Sequence, residues 1–177
     1  MRRGWVARSS RAMTLFSAGV DMPEQSAGVL MYRWNGKDLE VFLVHPGGPF
    51  WAKKDEGAWS VPKGLADPGE DLLAAAKREF QEETGSKPEG EFRELGVFKQ
   101  PSGKLVHAFA VEGDCDPSKL VSNAFEMEWP PKSGKRARFP EVDRAGWFKP
   151  PEALKKITKG QTPILRKLFD TLGASAY

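Results

Sequence analysis

The sequence predicts an α/β fold, a mixed β-sheet sandwiched between α-helices. Three observations carry that expectation. Runs of branched and aromatic residues come in pairs around turn residues. One strongly helical run, from Glu70 to Thr84, interrupts them. Two more helical runs close the chain.

Residues 27–34 are rich in β-forming side chains, Asn35-Gly36 is a strong turn signal, and residues 39–45 continue with branched apolar residues. This reads as a hairpin. Pro46-Gly47-Gly48-Pro49 breaks the second strand, so residues 46–58 read as a loop holding Phe50, Trp51, Lys53 and Lys54. A short strand is expected at Trp59-Ser60-Val61, ahead of Pro62-Lys63-Gly64. Asp67-Pro68-Gly69 turns the chain into the helix, and Gly85 ends it. Residues 92–99 and 104–111, around Pro101-Ser102-Gly103, read as a second hairpin. Residues 123–129 are expected as a strand, 130–138 as a loop with four basic residues, and 142–148 as a last strand. Residues 151–157 and 162–172 read as helices, the second with Ile164, Leu165, Leu168, Phe169 and Leu172 on one face.

The 177 residues, 40% hydrophobic and 29% charged, suit one water-soluble domain with a short extension. A basic leader over residues 1–25 and a single domain over 26–177 are expected. Cys115 is the one cysteine, so neither an intrachain disulfide nor a cysteine zinc cluster can form. No stretch approaches the ~18 apolar residues of a membrane span. The start of the chain carries Arg2, Arg3, Arg8 and Arg11 but no clean small-residue cleavage site, so secretion is not expected and the cytoplasm is. The net charge of +3 and a pI near 9.0 raise the question of nucleic acid. Most of that excess sits in the leader. No RNA-binding signature accompanies it or the basic run from Lys132 to Arg138, so nucleic acid is not the expected partner.

The chemistry points to an acidic minority. Taking Glu79 as zero on the helix, Glu82 lies near −60° and Glu83 near +40°, so the three carboxylates share an arc about 100° wide. Like charges three and four residues apart repel. A hard divalent cation would remove that penalty, and Mg²⁺ bridges carboxylates to substrate phosphates. A solvated acidic face compensated by Lys77 and Arg78 is the plainer alternative.

The spacing decides between them. The segment runs Gly64, five residues, Glu70, seven residues, then Arg78-Glu79-Phe80-Gln81-Glu82-Glu83-Thr84-Gly85. This resembles the signature of the Nudix hydrolases in register, with Ser86 the one departure, where an aliphatic residue is usual. Trp59-Ser-Val-Pro-Lys-Gly64 resembles the segment that leads into the box in the asymmetric diadenosine tetraphosphate hydrolases. Glu141, six residues before Trp147, stands where many members place a further glutamate on a loop; Glu126 and Glu128 compete for that role.

The resemblance implies a Nudix fold over about residues 26–172 and hydrolysis of a diphosphate linkage in a nucleoside diphosphate joined to another group. It implies Mg²⁺ or Mn²⁺ on Glu79, Glu82 and Glu83, with the Lys63 carbonyl completing the shell and Gly64 allowing close approach. Glu79 and Glu141 are the two candidate general bases. Arg78 and Glu70 are expected to pair and orient the loop. Arg33, Lys53 and Lys63 are candidates for substrate phosphates, with Lys54 beside them; Phe50, Trp51 and Phe125 are candidates for stacking a base. His45 and His107 show no paired metal-ligand spacing and are expected to be structural or solvent-facing; Cys115 has no catalytic context. A nucleotide or another diphosphate-containing small molecule is the expected partner, and no membrane is. A non-catalytic nucleotide sensor and an RNA 5′-end pyrophosphohydrolase are the alternative readings. The first is disfavoured because every box carboxylate is present.

Overall fold

The computed structural model describes residues 23–174. Most of the expected leader therefore lies outside the described residues. The chain order is β1 (Gln25–Asn35), β2 (Asp38–Pro46), β3 (Lys63–Leu65), α1 (Leu72–Thr84), β4 (Arg93–Lys99), β5 (Leu105–Glu112), β6 (Ala124–Glu128), β7 (Arg136–Pro140), β8 (Val142–Phe148), α2 (Pro150–Lys156) and α3 (Thr162–Thr171).

The first hairpin closes with Asn35 opposite Asp38 and Tyr32 opposite Val41, as the turn signal requires. Strand β1 pairs in parallel with β5, Ala27 beside His107 and Val29 beside Phe109. Strand β4 adds to β5, and β8 adds to β2, both antiparallel. The main sheet runs β4-β5-β1-β2-β8, with β3 on the free N-terminal stretch of β1. It is mixed, as expected, and it is buried on both faces.

Alternation along β1 sends Val29 and Met31 to one face, where they meet Phe42, Phe109, Ala76 and Phe80 under α1. Leu30 faces the other way, towards Leu43, Ala108, Ile157, Ile164, Leu165 and Leu168 under α2 and α3. One helix thus covers one side and two cover the other.

Three expectations fail locally. Residues 59–61 form no strand: they make only isolated bridges, Ser60 to Val44 and Trp59 to Ile157. The short strand comes just after, at β3, where Gly28 lies opposite Lys63. A Cβ on Gly28 would stand 2.8 Å from the Lys63 Cβ, so the bare backbone lets β3 dock. Second, residues 130–138 are only partly a loop. From Arg136 the chain is strand β7, paired with β6 as a separate two-stranded sheet. The register sets Glu126 opposite Arg138 and Glu128 opposite Arg136, with Arg136 3.5 Å from Glu126 on the diagonal, and these opposite charges support a strand that the basic composition argued against. The first helix begins at Leu72 rather than Glu70, because Asp71 caps it by accepting from the Ala74 amide at 2.9 Å.

Candidate active site

The carboxylate helix ends where Gly85 adopts φ +79° and returns its amide to the Gln81 carbonyl at 2.8 Å. That left-handed turn suits glycine, and a Cβ there would lie 2.8 Å from Val121. The cap fixes the last two turns of α1 against β1 and β3. Glu79 and Glu83 are consequently buried, only 2% and 6% exposed, while Glu82 is half-buried.

Buried carboxylates need compensating partners. Arg78 supplies part of the compensation. Its Nε and Nη2 donate to Glu70 at 3.0 and 2.9 Å. Its Nη1 donates to Glu79 at 2.7 Å and to Glu82 at 3.2 Å, and Nη2 also reaches the Leu65 carbonyl at 3.1 Å. These contacts match the five N–H groups of a guanidinium one for one. They raise its already high pKa, the Glu70 hydrogen bonds first among the causes.

Glu70 accepts the Asp67 amide at 2.9 Å as well, so the turn before α1 is tied into the same knot. Glu83 accepts the Lys63 amide at 3.2 Å, which brings β3 against the helix. Burial pushes the Lys63 ammonium below its ordinary pKa; Glu83 opposes that shift and Lys104 adds to it.

Glu141 reaches the cluster through the backbone. The Asn123 amide donates to the Glu82 carbonyl at 2.9 Å, the Glu141 amide to the Asn123 carbonyl at 2.8 Å, and the Gly47 amide to the Glu141 carbonyl at 2.9 Å. This row sutures the end of α1, both roots of the β6–β7 hairpin and the start of the 47–58 loop. Of the expected site residues, Lys63, Glu70, Arg78, Glu79, Glu82 and Glu83 come together, with Glu141 one residue beyond Asn123 in that row.

Arg33 does not come there. It lies five residues along β1 from Gly28, about 17 Å at strand rise. Its guanidinium pairs with Glu40 at 2.7 Å and Asp114 at 2.8 Å and stacks on Trp147 at 4.2 Å. Lys53 and Lys54 are exposed on the 47–58 loop, with the Lys54 ammonium 4.9 Å from the Trp51 ring.

Sequence reasoning missed what holds that loop. His45 is wholly buried, with Nδ1 2.7 Å from the Asp143 carboxylate and Nε2 2.6 Å from the Lys54 carbonyl. A carbonyl oxygen only accepts, so Nε2–H donates to it. The signal was present but weak: a polar ring at the end of a run of six buried strand residues. Asn123 carried no signal, because it acts through its main chain.

Among the described residues, no three His, Cys, Asp or Glu side chains converge as a group that could hold a metal ion. The donor chemistry nevertheless suits a hard divalent cation: two buried carboxylates and a third beside them, within two turns of one helix.

The NUDIX domain family model matches residues 22–168. The mitochondrial ADP-ribose pyrophosphatase of Rattus norvegicus is 30% identical over 113 residues, 58% of this chain and 32% of that protein. An RNA pyrophosphohydrolase of Bradyrhizobium diazoefficiens is 43% identical over 65 residues, 36% of this chain and 37% of that protein. The chain spans about a third of the length of these curated relatives. The crystal structure of a C. elegans Ap4A hydrolase binary complex superposes with a TM-score of 0.59 at 22% identity, covering 85% of this chain and 99% of that one. With the signature on α1, the sandwiched mixed sheet and a family match over nearly the whole described chain, this protein belongs to the NUDIX domain family.

Proposed function

We propose that this chain is a divalent-metal-dependent pyrophosphohydrolase acting on a nucleoside diphosphate joined to a further group, with water attacking phosphorus. The observation that carries the reading is the burial of Glu79 and Glu83 on one face of α1, beside Arg78 and the Lys63 amide. A fold rarely buries two carboxylates side by side without a use for their charge.

In this reading residues 26–177 are the catalytic domain, residues 1–25 a leader, and the cytoplasm its location. Glu79, Glu82, Glu83 and the backbone at Lys63 would hold Mg²⁺ or Mn²⁺, which neutralises phosphate oxygens and lowers the pKa of bound water. Arg78 and Glu70 are positioning residues, since their hydrogen bonds set the direction of Glu79 and of the 65–71 turn. Glu79 and Glu141 stand as the two candidate bases. The half-buried Lys63 stands as the candidate for a substrate phosphate oxygen on this side of the cluster.

The test is a panel of ADP-ribose, nucleoside triphosphates, diadenosine tetraphosphate and 5′-triphosphorylated oligonucleotides with Mg²⁺ or Mn²⁺, with products identified. Glu83→Gln should lose at least a hundredfold in turnover while circular dichroism stays unchanged. No hydrolysis of any member by the wild-type chain overturns the proposal. For the base, Glu79→Gln and Glu141→Gln are compared in pH–rate profiles; the variant that keeps the acidic limb, the fall in rate as a carboxylate protonates, has not lost the base.

A further inference from the structure

The two contacts of the His45 ring fix its proton count as well as its orientation. The ring is wholly buried near the end of β2, where the pairing with β8 slips: His45 lies opposite Arg144 and Pro46 opposite Val142. Nδ1 stands 2.7 Å from the Asp143 carboxylate and Nε2 2.6 Å from the Lys54 carbonyl. A neutral imidazole has one N–H and one lone pair. A carbonyl oxygen has no proton to give, and neither has an ionised carboxylate. Both short contacts therefore need an N–H from the ring. The Asp143 side chain is partly open to water, and the Arg144 Nε lies 3.7 Å from the oxygen that His45 meets. Water and a neighbouring guanidinium both favour the carboxylate over the carboxyl form.

The other charged groups nearby are occupied elsewhere. The Lys54 ammonium lies over the Trp51 ring at 4.9 Å, and Lys53 and Glu56 are exposed. Asp55 accepts from Trp59 Nε1 at 2.8 Å and pairs with Lys156 of α2. These two reach His45 through Trp59, whose ring meets it edge-on with centroids 5.3 Å apart. The Arg144 guanidinium lies 5.5 Å from the Trp59 ring. The ends of the 47–58 loop are held by main chain, Gly47 to the Glu141 carbonyl at 2.9 Å and Gly57 to the Lys155 carbonyl at 3.0 Å. Between them, the Lys54 carbonyl takes the His45 ring as its partner. A ring that gives up one proton keeps the one facing the stronger acceptor, the carboxylate. Nε2 then presents a lone pair to the Lys54 oxygen, and the two repel. The bond that is lost is the one that holds the middle of the loop.

We propose that His45 is a buried imidazolium whose Nε2 proton latches the 47–58 loop to the sheet. The latch is closed while the ring is charged and opens as pH rises and that proton leaves. Pairing with Asp143 offsets the burial of the ring's charge. Imidazole is the side chain that changes charge in the physiological range, so it suits a switch of this kind. The latch uses none of the α1 carboxylates, and its test involves no hydrolysis. It therefore stands or falls separately from the pyrophosphohydrolase reading.

The experiment reads the ring and the loop together. In the full chain labelled with ¹⁵N, the His45 ring nitrogens are followed by long-range ¹H–¹⁵N correlation from about pH 6 to about pH 9. Hydrogen exchange of the Lys54 amide, which donates to the Trp51 carbonyl at 2.9 Å, is measured over the same range and corrected for its intrinsic rate. At the acidic end both ring nitrogens should resonate as protonated. As pH rises, Nε2 should lose its proton while Nδ1 keeps its own. Lys54 protection should fall about tenfold or more in the same interval, as for one hydrogen bond to a charged group. Asp143→Asn separates the proton from the shape. The new amide N–H can donate to Nδ1 of a neutral ring, so both contacts survive without the charge. In that variant Lys54 protection should stay level across the range. An unprotonated ring nitrogen at the acidic end of the wild-type titration overturns the charged ring. Both protons kept to the alkaline end overturn the release. A ring that titrates with no loss of protection, or an Asn variant as pH-dependent as the wild type, overturns the latch.

Discussion

Arg78 grips Glu70 by both carboxylate oxygens, Nε to Oε2 at 3.0 Å and Nη2 to Oε1 at 2.9 Å. The fork needs a planar guanidinium, and a lysine at that place supplies only a point charge. Arg78→Lys should lower stability by about 1–3 kcal/mol, the range for losing hydrogen bonds to charged groups at a half-buried site. It should lower turnover per folded molecule further, because Glu79 loses its 2.7 Å partner. Urea unfolding and activity on the same preparations check this; an unchanged midpoint would show that the fork carries no stability.

Gly47 sits where a side chain cannot. A Cβ there would be 2.0 Å from the Pro140 carbonyl oxygen and 3.0 Å from its carbon. Both are backbone atoms, so relief requires the hairpin root or the loop to move. Gly47→Ala should cost about 1–3 kcal/mol, as overpacking does. The displaced Gly47–Glu141 hydrogen bond should cost activity too. Calorimetry and steady-state rates give both readouts, and wild-type values in each would refute the close approach.

The His45 ring ties the 47–58 loop to the sheet through the Lys54 carbonyl and to β8 through Asp143. His45→Leu removes both bonds and leaves the Lys54 carbonyl without its ring partner. Limited proteolysis should then cut within residues 47–58 well before the rest of the chain. Equal cleavage of variant and wild type would show that other contacts hold the loop.

Cys115 is buried, its thiol 3.4 Å from the Ser86 hydroxyl. Burial pushes its pKa up, with the Ser86 hydrogen bond pulling the other way. The folded state therefore favours the thiol over the thiolate. Its contribution to stability is full below the ordinary cysteine range and fades as pH rises past the folded value. At pH 8 an aromatic disulfide reagent should modify the native chain far more slowly than the chain in guanidinium. Equal rates would contradict the burial.

Much of this was legible because it was periodic or bounded by special residues. Asn35-Gly36 and Gly85 marked a hairpin and a helix end that the structure places as expected. The carboxylates were legible as an angular pattern on α1. Strand β3 was not, because its place depends on Gly28, a residue of another strand, leaving room for Lys63. Strand β7 was not, because its arginines are tolerated only once Glu126 and Glu128 stand opposite. Arg33 looked like a loose cation until Glu40, Asp114 and Trp147 enclosed it. The link from Glu141 to Glu82 runs through main-chain atoms, which no side-chain pattern encodes.

The parallel pairing of β1 with β5 sets the order in which this protein can fold. Gln25 must wait for Leu105, and the outer partner of β2 is β8, whose Phe148 pairs with Val41. During synthesis the first hairpin leaves the ribosome with both its edges bare; the β1 edge waits for residue 112 and the β2 edge for residue 148. Such distant pairings slow folding, since a long loop must close before its contacts stabilise it. Helices α2 and α3 follow later still, so one apolar face of the sheet stays uncovered longest. A nascent chain of this protein should engage holding chaperones from the completion of β2 until α3 packs.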